Sequence, residues 1–296
     1  MISPEMLRRV RRIEIKTRRQ VRSAFAGAYH SAYKGRGITF SAVRPYVPGD
    51  DVRSIDWKIT ARSMQPYVKQ YVEERELTLM VVLDGSASLF FGSSGRQKRE
   101  IAAEFASILA LVSTVNQDRA GLTIFTEGIE HYLPPQRSRN HILRIIRDVL
   151  AYTPRAKGSD LGKTLRHLDR LLRPGAIIFV VSDFLLPVEN YQNSLRQLGQ
   201  RHDVVTVLVN DPLEVEIPRA GLMRLQDTES GAVVWADSRS SEWQRRFSEQ
   251  RDSIVAARDK VLRQARAGRI ELPPNGDFMT ALTTYFHQRA QERRSL

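Results

Sequence analysis

The run Leu77–Leu83 is apolar along almost its whole length and stops at Asp84. A strand with one solvated face alternates apolar and polar residues, so a run of this kind belongs to a strand covered on both faces. Ala176–Val181 repeats the pattern and is followed by Ser182-Asp183, and Val204–Val209 is a further strand. Between these strands, Gln97–Asn116, Asn140–Tyr152, Asp160–Leu172 and Asn190–Gln200 have helical periodicity. Ser159 or Asp160 suits the cap of the third helix. Gly121–Phe125 reads as another strand, with Ile129–Leu133 close enough to pair antiparallel to it. Strand–helix alternation of this kind predicts an α/β, doubly wound, mainly parallel sheet with helices on both faces.

The flanks follow a different grammar. Residues 1–28 are expected to be a basic N-terminal helix, with Leu7, Val10, Ile13 and Val21 near one stripe. Residues 29–76 carry short β-like runs (38–43 and 67–72) punctuated by Gly and Pro, and read as a small β module. The α/β domain is expected over 77–210. Residues 211–268 add a hairpin, Leu222–Gln226 with Val233–Ala236, and a long charged helix from Ser240. This hairpin is expected to pack on the 29–76 module, forming one β subdomain. Residues 269–296 should return to the α/β domain as an edge strand, Ile270–Leu272, and a last helix. That helix is expected to turn Phe278, Leu282, Tyr285 and Phe286 to the core.

Charge and cysteine content limit the chemistry. The 296 residues contain no cysteine, which excludes disulfides, Cys-ligated zinc, iron–sulfur clusters and thiol nucleophiles. The net charge is +13, and +8 of it lies in residues 1–76, so the basic surplus is a local property of the N-terminal quarter. An anionic partner is implied: an acidic protein, nucleic acid or an acidic membrane surface. Residues 1–76 also hold Phe25, Tyr29, Tyr33, Phe40, Tyr46, Trp57, Tyr67 and Tyr71. Basic residues interleaved with aromatics suit a platform for single-stranded nucleic acid. They equally suit a β domain with an aromatic core. No apolar run approaches the roughly 20 residues of a spanning helix. The basic start, Arg8 to Arg12, is not followed by the apolar stretch of a signal peptide. The expected location is cytoplasmic.

Asp84-Gly85-Ser86-Ala87-Ser88 directly follows the first buried strand. In an open parallel sheet, ligands bind beyond the carboxyl ends of the strands. Asp183 ends a second buried strand, and Ser159 precedes a helix, so three loops offer oxygen donors at one sheet edge. Oxygen donors without Cys or His suit Mg²⁺, Mn²⁺ or Ca²⁺. These residues resemble the metal-ion-dependent adhesion site of the von Willebrand factor A (VWA) fold. Asp84, Ser86 and Ser88 match its Asp-x-Ser-x-Ser loop, Asp183 matches its third loop, and Ser159 stands where Thr is usual. The alternative is a degenerate site that only caps helices and orders loops.

The segment from Gly35 to Lys58, including Arg44-Pro45-Tyr46-Val47-Pro48-Gly49-Asp50-Asp51-Val52-Arg53-Ser54-Ile55-Asp56-Trp57, is similar to the signature of one VWA-like bacterial family, domain of unknown function number 58. Thr60-Ala61-Arg62 and Glu73-Glu74-Arg75 fit it as well. The resemblance implies a β subdomain built onto a VWA-like domain and no established enzymatic activity. It also implies partnership with a MoxR-type AAA+ ATPase, in a chaperone-like role toward a client protein complex. Taken alone, Arg44, Asp50, Asp51, Arg53, Asp56 and Arg62 suit either an ion-pair network between subdomains or a partner-docking surface, with Trp57 expected to pack. Lys157–Thr164 only imitates a phosphate-binding loop, because no apolar strand precedes it. Asp84 as a phosphoryl-accepting nucleophile would need a second carboxylate where Ser86 stands. The functional expectation is a non-enzymatic, metal-dependent adaptor; the alternative is a nucleic-acid-binding protein using the basic N-terminus.

Overall fold

The computed structural model describes residues 29, 32–33, 39–63, 65–72, 76–228, 231–274 and 276–294. The expected N-terminal helix over 1–28 lies outside them. A six-stranded sheet runs in the order β10-β7-β6-β3-β4-β5. Its strands are β3 (Thr78–Asp84), β4 (Arg119–Phe125), β5 (Ile129–Gln136), β6 (Ile177–Ser182), β7 (Asp203–Leu208) and β10 (Gly268–Glu271). All neighbours are parallel except β4 and β5.

The apolar runs become the central strands because both sheet faces are covered. Leu79, Val81, Leu83, Phe179 and Val181 face one cluster with α2 (Lys98–Val115), α3 (Arg139–Ala151) and α8 (Phe278–Arg294). Met80, Val82, Ile178 and Val180 face the other, with α4 (Leu161–Leu171), α5 (Gln192–Arg201) and the end of α7 (Ser241–Gln264). Helix α2 is buried almost all round, which explains its near-continuous apolar sequence. A capping box starts it, with Gln97 and Glu100 satisfying each other's backbone N–H groups. Phe278, Leu282, Tyr285 and Phe286 are buried, as their spacing on α8 predicts.

Tyr29 and Tyr33 do not belong to a β module. Both are buried in the main core, with ring centroids 5.4 and 5.6 Å from Phe286. The Tyr29 hydroxyl donates to Asp118 Oδ2 at 2.8 Å. The β module itself is a two-stranded ribbon, β1 (Thr39–Pro45) with β2 (Tyr67–Val72), connected through the short helix α1 (Trp57–Ser63). Strands β8 (Leu222–Gln226) and β9 (Val233–Asp237) form a second ribbon. Among the described residues the two ribbons are separate sheets with no strand pairing between them. Among the described residues, no helix is long and apolar enough to cross a membrane.

Candidate metal centre

The chain runs from β3 to β4 on one side and returns to place β6 on the other side of β3. The loops after β3 and β6 therefore diverge, leaving a crevice at the carboxyl ends of these strands. Asp84 stands at this switch point, 3% exposed. Its Oδ2 accepts from Ser182 Oγ at 2.7 Å, and its Oδ1 from the Ser86 backbone N–H at 2.9 Å. Burial and the nearby Asp183 charge push the Asp84 carboxyl up to about 6.

Ser86 opens a 3₁₀ turn over Ala87–Phe90, which sets its hydroxyl 3.2 Å from Ser88 Oγ. Gly85 is required where it stands. A Cβ there would lie 2.8 Å from Tyr152 Cε1 and 3.2 Å from the Phe125 carbonyl oxygen. The second loop is drawn against the first, since the Ala87 N–H donates to the Lys157 carbonyl at 2.9 Å. Ser159 Oγ, two residues on, is buried and has no hydrogen-bond partner among the described residues. Asp160 caps α4 by accepting from the Lys163 N–H at 2.8 Å. That carboxylate occupies the helix start and opposes phosphate binding at the loop's P-loop-like sequence.

Glu130 on β5 organises the second loop. Its carboxylate accepts from Tyr152 Oη at 2.6 Å, Thr126 Oγ1 at 2.5 Å, and the Arg155 and Ala156 N–H groups at 2.9 and 3.1 Å. Burial alone would raise its pKa, but these donors outweigh it and hold the carboxyl below its ordinary range.

The third loop departs from the expected pattern. Asp183 Oδ2 accepts a 2.8 Å ion-paired hydrogen bond from Lys98 Nζ, and the same ammonium donates to Glu214 Oε1 at 2.5 Å. Burial disfavours the ammonium, but the two carboxylates outweigh it and raise the Lys98 pKa. Glu214 lies in the short helix α6 (Pro212–Val215). The adjacent Asp211 accepts from the Ser93 N–H and hydroxyl at 2.7 and 2.5 Å. Phe184, wholly buried, takes φ 53°, a left-handed conformation costing about 1–2 kcal/mol for a residue with a side chain. Strain is thus held in the loop that carries Asp183.

The structure therefore gathers loops 84–88, 157–160 and 182–185 at one end of the sheet, as the sequence predicts. Among the described residues no three His, Asp or Glu side chains form a metal cage. A cation here would rest chiefly on the hydroxyls of Ser86, Ser88 and Ser159. The buried hydroxyl of Ser159, left without a protein partner, fits that demand. Lys98, Glu214, Ser182 and Glu130 were missed in the sequence. The one available signal is the serine that ends the β6 run.

The hydrogen bonds of the Arg44-to-Arg62 segment are local. Arg44 grips Asp50 with both guanidinium nitrogens, at 2.7 and 2.6 Å. Asp51 accepts from the Arg53 N–H, and Asp56 accepts from the Lys58 and Ile59 N–H groups and sits 3.8 Å from Lys69. Among the described residues these contacts join residues 44–69 to one another, and none of them reaches the α/β domain. Arg53 and Arg62 pair with no carboxylate among the described residues. Trp57 is 66% exposed rather than packed, because it opens a helix of seven residues that buries none of them.

A family model described as "Protein of unknown function DUF58" matches residues 42–256. "Uncharacterized protein Rv1480" of Mycobacterium tuberculosis is 33% identical over 233 residues, covering 78% of this chain and 73% of its own. Among solved structures, an aerotolerance-related membrane protein from Bacteroides fragilis aligns with TM-score 0.50 and 16% identity, over 72% of this chain and 99% of its own. BatB from Bacteroides thetaiotaomicron aligns with TM-score 0.47 and 15% identity, over 73% and 99%.

Proposed function

We propose that this chain, which belongs to the DUF58 family and has a VWA-like fold, is a non-enzymatic binding protein whose sheet-end crevice holds a hard divalent cation. The observation that carries the reading is Ser159 Oγ, a buried hydroxyl without a partner among the described residues, in a loop hydrogen-bonded to the loop of Ser86 and Ser88. Charge supports it. Asp84, Asp183 and Glu214 against Lys98 leave two negative charges uncompensated when all are ionised, which a divalent cation would balance. Ser86, Ser88 and Ser159 would hold Mg²⁺ or Mn²⁺, with Asp84 supporting them through the Ser86 N–H and Ser182. Bound there, the cation would offer an exchangeable position to a partner's carboxylate.

Catalysis at Asp84 is disfavoured because both carboxylate oxygens already accept hydrogen bonds and the residue two positions on is Ser86. The nucleic-acid reading loses two of its aromatics, since Tyr29 and Tyr33 are buried. The adaptor role toward a MoxR-type AAA+ ATPase and a client complex rests on the sequence signature. Calorimetric titration of the full chain with Mg²⁺ and Mn²⁺ tests the metal. Single-site binding that Asp84→Asn abolishes supports the reading, and no binding at millimolar cation contradicts it. Affinity capture from cells, with mass spectrometry of the bound fraction, tests the ATPase. Failure to recover an AAA+ protein counts against that partnership.

A further inference from the structure

The run 47–62 turns its acidic and basic side chains to different uses. Each carboxylate is engaged within the unit: Asp50 by Arg44 and the Val47 N–H, Asp51 by the Arg53 N–H, and Asp56 by the start of α1. The Arg53, Lys58 and Arg62 side chains are exposed and have no carboxylate partner among the described residues. Lys58 and Arg62 stand one turn apart on α1, hence on one face, with Trp57 and Ala61 on the adjoining stripe. Trp57 is 66% exposed, Val52 58% and Val47 56%. A large indole, two valines and three cations without a carboxylate partner among the described residues thus occupy exposed positions of one stretch of chain, 47–62. Exposed aromatics and arginines are the residue types that dominate protein interfaces, whereas lone lysine-rich patches without apolar anchors are not.

We infer that this surface docks an acidic protein segment that carries an apolar anchor residue. The carboxylates would meet Arg53, Lys58 and Arg62, and the anchor would cover Trp57 and Val52. The chain's own N-terminal stretch is a poor occupant, because residues 1–22 hold eight basic and two acidic side chains. The inference deepens the adaptor reading by naming a second contact surface and its partner chemistry, and it does not depend on the metal centre.

Fluorescence anisotropy with the full-length chain tests it. The probe is a labelled 16-residue peptide of glutamate and leucine, beside a lysine-for-glutamate counterpart and a labelled oligo-dT of similar length. The expected result is binding of the acidic peptide, weakening steeply with salt. Trp57→Ala and the reversal Arg53→Glu/Lys58→Glu/Arg62→Glu should each weaken it at least about tenfold. Trp57→Phe should restore much of the loss, and binding should persist in EDTA, which removes any divalent cation. Circular dichroism melts should be unaltered by these surface changes. No binding, or binding indifferent to Trp57→Ala and to charge reversal, overturns the proposal. So does tighter binding of oligo-dT through the same residues, which would make the surface a nucleic-acid site. Absence of cation binding by the unaltered chain, with peptide binding intact, would defeat the metal reading alone.

Discussion

Lys98 Nζ and Asp183 Oδ2 lie 2.8 Å apart, with side chains 1% and 3% exposed, although 85 residues separate them in sequence. The same ammonium reaches Glu214, so one cation ties the start of α2, the loop after β6 and helix α6 together. Removing it strands the buried Asp183 carboxylate and leaves the partly exposed Glu214 without its cation. Lys98→Met is expected to cost about 3–5 kcal/mol, the range for breaking a buried ion pair. Urea unfolding measures it, and a loss below about 1 kcal/mol would mean that the ammonium is not holding these elements.

Close packing at the start of α4 gives a sharper test. A Cβ on Gly162 would lie 2.0 Å from the Asn190 carbonyl oxygen, a backbone atom that cannot swing away. Gly162→Ala is expected to destabilise by about 1–3 kcal/mol through overpacking. Gly128→Ala is the matched control: a Cβ there meets only the end of the Lys163 side chain, at 3.8 Å. Its effect should stay within about 0.5 kcal/mol. Equal thermal shifts in the two variants would contradict the packing seen here.

Which parts of this molecule could be read in the sequence follows from how local their causes are. Strands β3, β6 and β7 were legible because burial on both faces demands apolar runs, and the donors that follow β3 and β6 were legible because ligands gather at strand ends. Lys98 was not. A lysine in the first turn of a long helix reads as a solvated charge, and its burial is set by partners 85 and 116 residues away. Glu130 is similar, since four donors from other elements define its role. Trp57 misled in the opposite direction, because an indole signals core unless the element carrying it is too short to bury a face.

Asp50 offers a pH test on the ribbon unit. The Arg44 guanidinium, aided by the Val47 N–H, pulls its pKa down to about 2. A carboxylate lowered on folding adds stability above its unfolded pKa and loses it as pH falls toward the folded value. The contribution should therefore be intact at pH 5 and vanish as pH drops from about 4 to about 2. In Arg44→Ala the Asp50 carboxyl, followed by NMR, should titrate higher, moving toward the ordinary aspartate value and held below it only by the Val47 N–H. An unchanged titration would mean that the guanidinium contact does not form in solution.

His202 supplies the opposite case. Its side chain is buried, neither ring nitrogen has a hydrogen-bond partner among the described residues, and burial outweighs the attraction of Asp169 to lower its pKa. The unfolded chain then binds a proton that the folded chain resists, so stability should fall as pH drops below about 6.5. In His202→Leu that part of the slope between pH 7 and pH 5 should disappear from denaturant midpoints. Persistence of the full slope would assign it to other groups.

The metal reading is tested most directly by soaking crystals of the full chain in Mn²⁺ and collecting data at a wavelength where manganese scatters anomalously. The account predicts one strong anomalous peak among the hydroxyls of Ser86, Ser88 and Ser159, lost in Asp84→Asn. No peak there at millimolar Mn²⁺, or one that survives Asp84→Asn together with Ser159→Ala, would contradict it.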